Sequence, residues 1–315
     1  MWALIYVGAF LVTFAASAAI KLTWNPLGDQ YSVRWDGSVG TTYTDLSYGP
    51  GEANKFDLYL PADDSKETYG LVVYLHAGGF TSGDKSGDAG MLQWLCAKGY
   101  VAAGINYTLF GEEHPDANVY TQSVEIRDSI PYVLAAAEER GYQIDRMAIS
   151  GGSAGHTLAM LYAYRDGPDS PVPVKLTFGA VGPSCFYPED WGCFGLDQGT
   201  EESNAAAAVM FSVMSGNPIT PEMIGTPEYD QAVKNISALS WIDENSPPTV
   251  CAYGAHDKLQ AFPASKRLAA ALEEHGVPHE YIVFPHSGHG LQNDNKLYAR
   301  YMDKVCEYLD TYMGV

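Results

Sequence analysis

Two periodicities alternate along the chain. Phe56 to Pro61 reads Phe-Asp-Leu-Tyr-Leu-Pro, a period-two pattern stopped by proline, which predicts an early antiparallel strand. Gly70 to His76 is a continuous apolar run and predicts a strand buried on both faces. A helix is expected over Ala89 to Lys98, closed by Gly99, and another strand over Tyr100 to Tyr107. Val119, Ser123, Ile126, Ile130, Val133 and Ala137 then recur at helical spacing, and Gly141 ends that helix. A further strand reaches Gly151, with helical periodicity resuming just after Gly155. Strands follow at Val172 to Val181, Thr249 to Gly254 and Glu280 to Phe284. Pro263 to His275 is a helix with proline in its first turn, and an amphipathic helix carrying Leu297, Tyr301, Val305 and Leu309 closes the chain.

Strands alternating with helices in this way predict an α/β fold, a mostly parallel, doubly wound sheet covered by helices on both faces. Residues 41–315 then form one such domain. Two stretches depart from the pattern. Residues 22 to 55 are rich in Gly, Asp, Ser, Thr and Tyr and read as a linker, over about 21–40, followed by irregular β structure. Residues 184–246 are loops, proline-punctuated turns and an Ala-rich segment at Ala205 to Met214, read as a cap-like insertion between two strands of the sheet. No internal repeat or low-complexity tract is found.

Residues 1–20 carry no charge and are mostly apolar, which predicts a signal peptide or a membrane anchor, with Ala16-Ser17-Ala18 as a candidate cleavage site. The protein is accordingly expected to be secreted, or attached to a membrane through this segment, with its body outside the cytoplasm. The missing basic n-region, with Lys21 and Arg34 on the far side, taken alone favours a cytoplasmic body behind an anchor. The formal charge of −20, from 38 acidic against 18 basic side chains, argues against a grip on nucleic acid or on an anionic membrane surface. The five cysteines have no metal-ligand spacing. Cys96, Cys251 and Cys306 sit in apolar runs as core packing, while Cys185 and Cys193 bracket a loop that a disulfide would close in an exported protein.

Candidate chemistry centres on Met147 to Ala163, where strand passes to helix through Gly151-Gly152-Ser153-Ala154-Gly155. This turn puts Ser153 on a sharp bend that only small neighbours permit. A serine needs a base to take its proton and a third group to orient that base. Asp257 follows the strand ending at Gly254 by three residues, and His289 follows the strand ending at Phe284 by five, so both stand at carboxyl ends of strands, where loops converge. Asp243 and Asp294 compete with Asp257, the first lying ahead of its strand and the second after the histidine; His256 and His286 compete with His289. The backbone amides of Ala154, Gly78 and Gly79 are candidate donors to an oxyanion. His76 is expected to brace that glycine loop, His156 to lie behind the elbow, and Glu125 and Asp128 to sit on a helix surface, either one a partner for Arg127.

Taken together, His76-Ala77-Gly78-Gly79-Phe80, Gly151-Gly-Ser-Ala-Gly-His156, Tyr253-Gly-Ala-His-Asp257 and Ser287-Gly-His289 resemble the α/β-hydrolase superfamily. The resemblance covers roughly residues 40 to 312 and is strongest to the carboxylesterase branch with hormone-sensitive-lipase-like, acetyl and feruloyl esterases and arylformamidases. Ala77 stands where that branch often has glycine, and Gly152 where hormone-sensitive-lipase relatives often have aspartate, which points to the acetyl and feruloyl side. The resemblance implies a serine esterase working through Ser153, His289 and Asp257, with no cofactor or metal, on a small-molecule ester of short-chain acyl, acetylated or feruloylated carbohydrate type. A peptidase, amidase or arylformamidase on the same fold is one alternative; a non-catalytic extracellular binding protein on a hydrolase scaffold is another.

Overall fold

The structure is a computed structural model in which Thr13 and residues 31–314 are described. The expectation of a signal peptide or anchor over residues 1–20 falls, Thr13 apart, outside the described residues. No helix among them is long and apolar enough to cross a membrane.

Among the described residues, eight strands form one sheet: β1 (Gly40–Ser47), β2 (Lys55–Pro61), β3 (Tyr69–Leu75), β4 (Val101–Ile105), β5 (Ile144–Gly152), β6 (Val174–Ala180), β7 (Thr249–Gly254) and β8 (His279–Phe284). Their spatial order is β1-β2-β4-β3-β5-β6-β7-β8. β1 and β2 pair antiparallel with each other and β2 antiparallel with β4; every other pairing is parallel. The inner parallel strands are almost entirely buried, as a sheet covered on both faces requires, which is why they read as unbroken apolar runs.

Among residues 31–314, seven α-helices accompany the sheet: α1 (Ala89–Ala97), α2 (Val119–Glu138), α3 (Ala154–Leu161), α4 (Glu201–Ser215), α5 (Pro227–Val233), α6 (Phe262–Glu274) and α7 (Asn295–Tyr308). Leu92 of α1 and Met302 and Val305 of α7 pack with Val72, Ala102 and Val250 on one face. Ile126 and Ile130 of α2, Leu158 of α3 and Leu268 of α6 pack with Leu71, Val73 and Ile149 on the other. Asn118 caps α2 reciprocally with Thr121, and Thr200 caps α4 with Ser203.

The structure specifies three stretches further. The irregular stretch before residue 55 contains β1, paired with β2 across a bulge at which Asp45 takes φ 56°. The described part of the expected linker is packed onto the domain: Tyr31 meets Trp94 and Tyr298 edge-on, and Trp35 meets Tyr59. Cys185 is buried and Cys193 exposed, and both are free thiols, so the loop between them is not closed by a disulfide. Residues 184–246 contain no strand and carry α4, α5 and short 3-10 turns between β6 and β7.

Candidate active site

Ser153 stands between the end of β5 and the start of α3 with φ 51° and ψ −119°. A side chain with a Cβ rarely adopts that conformation, and the strain is stored in the turn itself. The neighbouring glycines are sterically required. A Cβ on Gly155 would lie 2.0 Å from the Leu75 carbonyl oxygen, and one on Gly151 would lie 2.5 Å from the Gly155 carbonyl carbon. At Gly152 a Cβ would meet nothing closer than 4.0 Å. Strand and helix therefore close on each other at Gly151 and Gly155 and leave Ser153 at the tip.

The structure brings the three predicted side chains together. Ser153 Oγ donates to His289 Nε2 at 2.8 Å, and His289 Nδ1 donates to Asp257 Oδ2 at 2.8 Å. They come from loops after β5, β7 and β8, so a parallel sheet delivers all three to one edge. The other carboxylate oxygen of Asp257 accepts from the amides of Leu259 at 2.9 Å and Gln260 at 3.0 Å. Its side chain is fully buried, whereas that of His289 is about a quarter exposed. The loops behind these residues touch closely: a Cβ on Gly254 would lie 2.3 Å from the Gly288 carbonyl oxygen, and the His256 amide donates to Ser287 O at 3.0 Å.

The competing residues have other partners. Asp294 holds the histidine loop in shape: it accepts from His286 Nδ1 at 2.7 Å, from the His286 amide at 3.0 Å and from Ser287 Oγ at 2.6 Å. Asp243 is exposed and caps its own turn through the Asn245 amide. Nothing in the sequence except the proximity of His286 and Asp294 signals this second acid–histidine pair.

The glycine-rich loop after β3 is braced by its own backbone and by buried side chains. Gly78 has φ 140° and Gly79 φ 61°, and the Gly78 carbonyl accepts from the amides of Thr81 and Ser82. His76 donates from Nδ1 to Ala77 O at 2.9 Å and stacks on Tyr107, ring centroids 4.3 Å apart, while burial holds its basicity below the usual histidine range. Gln122, fully buried in α2, donates to Phe80 O at 2.8 Å and Thr108 O at 2.9 Å. Glu125, expected to be a surface side chain without a role, accepts from the Thr108 amide at 2.6 Å and hydroxyl at 2.7 Å, because α2 presents it to the loop after β4. Arg127 pairs with Asp128. His156 is completely buried beneath the elbow, its Nδ1 accepting from the Gly182 amide, and burial lowers its pKa to about 3.

Ser153, Ala154, Gly79 and His289 open onto a cavity of about 440 Å³. Gly78 is not among the residues that line it. The remaining lining is largely apolar: Phe80 and Phe110 from the loops after β3 and β4, Trp191, Phe194, Met210, Val213 and Met214 from residues 184–246, and Leu259 and Gln260 from the loop of Asp257. None of the residues lining the cavity carries a carboxylate, and no group of side chains suited to a metal ion occurs among the described residues.

Residues 56–176 match the BD-FAE family model, and residues 203–315 match the prolyl oligopeptidase family model. Dipeptidyl aminopeptidase BIII of Pseudoxanthomonas mexicana is 26% identical over 293 residues, 87% of this chain and 37% of that protein. The probable carboxylic ester hydrolase LipM of Mycobacterium tuberculosis is 32% identical over 123 residues, 38% of this chain and 27% of that protein. The chain thus spans about a third of the length of these relatives. Among solved structures, a truncated carbohydrate esterase from gut microbiota superposes with a TM-score of 0.65 at 17% identity, covering 88% of this chain and 98% of that one. The fold is that of the α/β-hydrolases.

Proposed function

We propose that this α/β-hydrolase-fold chain is a serine hydrolase of carboxylic esters, and the observation that carries the reading is the unbroken hydrogen-bond relay from Ser153 through His289 to Asp257 at the wall of the cavity. His289 Nε2 takes the Ser153 proton as Oγ bonds to the ester carbonyl carbon. Asp257 fixes the proton on Nδ1, so that Nε2 is free to accept, and stabilises the imidazolium that forms. The carbonyl oxygen becomes an anion facing the amides of Ala154 and Gly79, each such donor contributing about 3 kcal/mol in a site that excludes water. As the C–O bond to the alcohol breaks, His289 returns its proton to the departing oxygen. Water then attacks the acyl-enzyme by the same steps in reverse, releasing the acid and restoring Ser153.

Peptide or amide hydrolysis is the second reading, favoured by the likeness to dipeptidyl aminopeptidase BIII. Such a substrate would bring a protonated amine to a wall that offers it no free carboxylate, since Asp257 is turned inward to His289 and two backbone amides. The ester reading is therefore preferred. The test is hydrolysis of 4-nitrophenyl acetate and of alanyl-4-nitroanilide by wild type and Ser153→Ala. Ester turnover that disappears in the variant, with little on the anilide, supports the proposal; ester turnover near the wild-type rate without Ser153 would sink it.

A further inference from the structure

The exposed apolar side chains are not scattered. Among the described residues, the large exposed hydrophobics that lack a polar tip are Phe194, Val209, Val213 and Leu259, with 53%, 68%, 43% and 52% of their surface open. Phe194, Val213 and Leu259 line the mouth of the cavity beside Ser153, and Val209 lies one helical turn before Val213 on the same face of α4. These side chains come from three separate segments, the 3-10 turn Gly192–Phe194, α4 and the loop after β7, and they converge on one opening. A contiguous apolar rim on a chain with a net charge of −20 calls for an occupant.

We propose that this rim is a substrate surface: the preferred ester carries a hydrocarbon chain or ring that fills the apolar cavity and continues out over Phe194, Val213 and Val209. This rests on the ester-hydrolase reading above and deepens it. Continuity with the cavity selects the occupant, because the rim begins where the cavity wall formed by Met210 and Val213 ends, on the same helix. A bare sugar does not suit this wall, whose aromatic and aliphatic side chains would strip its hydroxyls of water without replacing the hydrogen bonds. Any carbohydrate portion then stays on the solvent side of the scissile bond.

Two kinetic series test the proposal on the intact chain below each substrate's critical micelle concentration. The first varies the acyl group, 4-nitrophenyl acetate through octanoate; the second varies the alcohol, methyl through octyl acetate. In one of them kcat/KM is expected to climb about three- to fourfold per added methylene. Val209→Asp/Val213→Asp, at two exposed positions, is expected to cut the octyl-to-shortest ratio at least tenfold, and Leu259→Gln provides the same reading if the double variant does not fold. The series that climbs identifies whether the acyl or the alcohol group lies on the rim. A flat profile in both series, an unchanged ratio in the variants, or a climb seen only above the micelle concentration would overturn the proposal while leaving the hydrolase reading intact. Absence of hydrolysis at every length would remove that reading and the proposal with it.

Discussion

The geometry around Asp257 makes Asp257→Asn an informative perturbation, because the protein dictates which way the new amide points. One carboxylate oxygen accepts from the amides of Leu259 and Gln260 at 2.9 and 3.0 Å, and the other accepts from His289 Nδ1 at 2.8 Å. If the asparagine turned its NH2 toward Leu259 and Gln260, the buried N–H of Gln260 and the partly buried N–H of Leu259 would lose their acceptor, at about 1–3 kcal/mol for the buried one. The oxygen therefore stays with the backbone amides and the NH2 faces His289. Nδ1 must then accept, which puts the ring proton on Nε2, where it faces Ser153 and blocks proton removal. The expected loss is about 10⁴-fold in kcat, or roughly 5.5 kcal/mol of barrier. Because the backbone bonds survive, Tm should remain within about 3 °C of wild type, corresponding to less than about 1 kcal/mol. Initial rates on a 4-nitrophenyl ester and a thermal melt of the same preparation suffice. A loss below tenfold in a folded variant would refute the tautomer argument and, with it, the role given to Asp257.

Other consequences follow from contacts in the elbow and beneath it. Gly155→Ala should lower Tm by about 6–12 °C or prevent folding, since its Cβ would meet backbone at 2.0 Å and the cost is about 3 kcal/mol or more, whereas Gly152→Ala, with nothing inside 4.0 Å, should melt like wild type. Asp294→Ala removes the acceptor of His286 and Ser287 and should reduce kcat by about 10- to 100-fold by letting His289 drift, with KM little changed; Asp294→Asn, which keeps one acceptor, should lose less. His156 has a folded pKa of about 3 against an unfolded value near 6.5, so the unfolded chain binds its proton first and stability falls with acidification between those values, by up to about 1.4 kcal/mol per pH unit. Urea melts at pH 7, 5.5 and 4.5 should show a shallower decline for His156→Asn than for wild type, and parallel declines would count against the burial argument.

How much of this the sequence disclosed depends on whether a feature is local. The elbow is local: strand, two close-packed glycines and helix are consecutive, and the buried parallel strands announce themselves as apolar runs. The order Ser153, Asp257, His289 was also readable, because parallel strands deliver their following loops to one edge whatever lies between them. β1 was not, since seven of its eight residues are exposed or only partly buried and its bulge at Asp45 breaks the period-two pattern. Glu125 and Gln122 looked like ordinary polar positions on an amphipathic helix, and only the tertiary path of the loop after β4 gives them partners. The cavity wall was the least legible, because it is assembled from many separated stretches whose meeting depends on the packing of residues 184–246 onto the sheet.

In the proposed reaction Ser153 Oγ carries the acyl group. Rapid acid quench of the protein turning over a slowly deacylating 4-nitrophenyl ester, followed by peptide mass mapping, measures this directly. The expected result is a mass increase of one acyl group on the peptide containing Ser153, absent from Ser153→Ala. An acyl group found on another residue, or sustained turnover by Ser153→Ala, would contradict it.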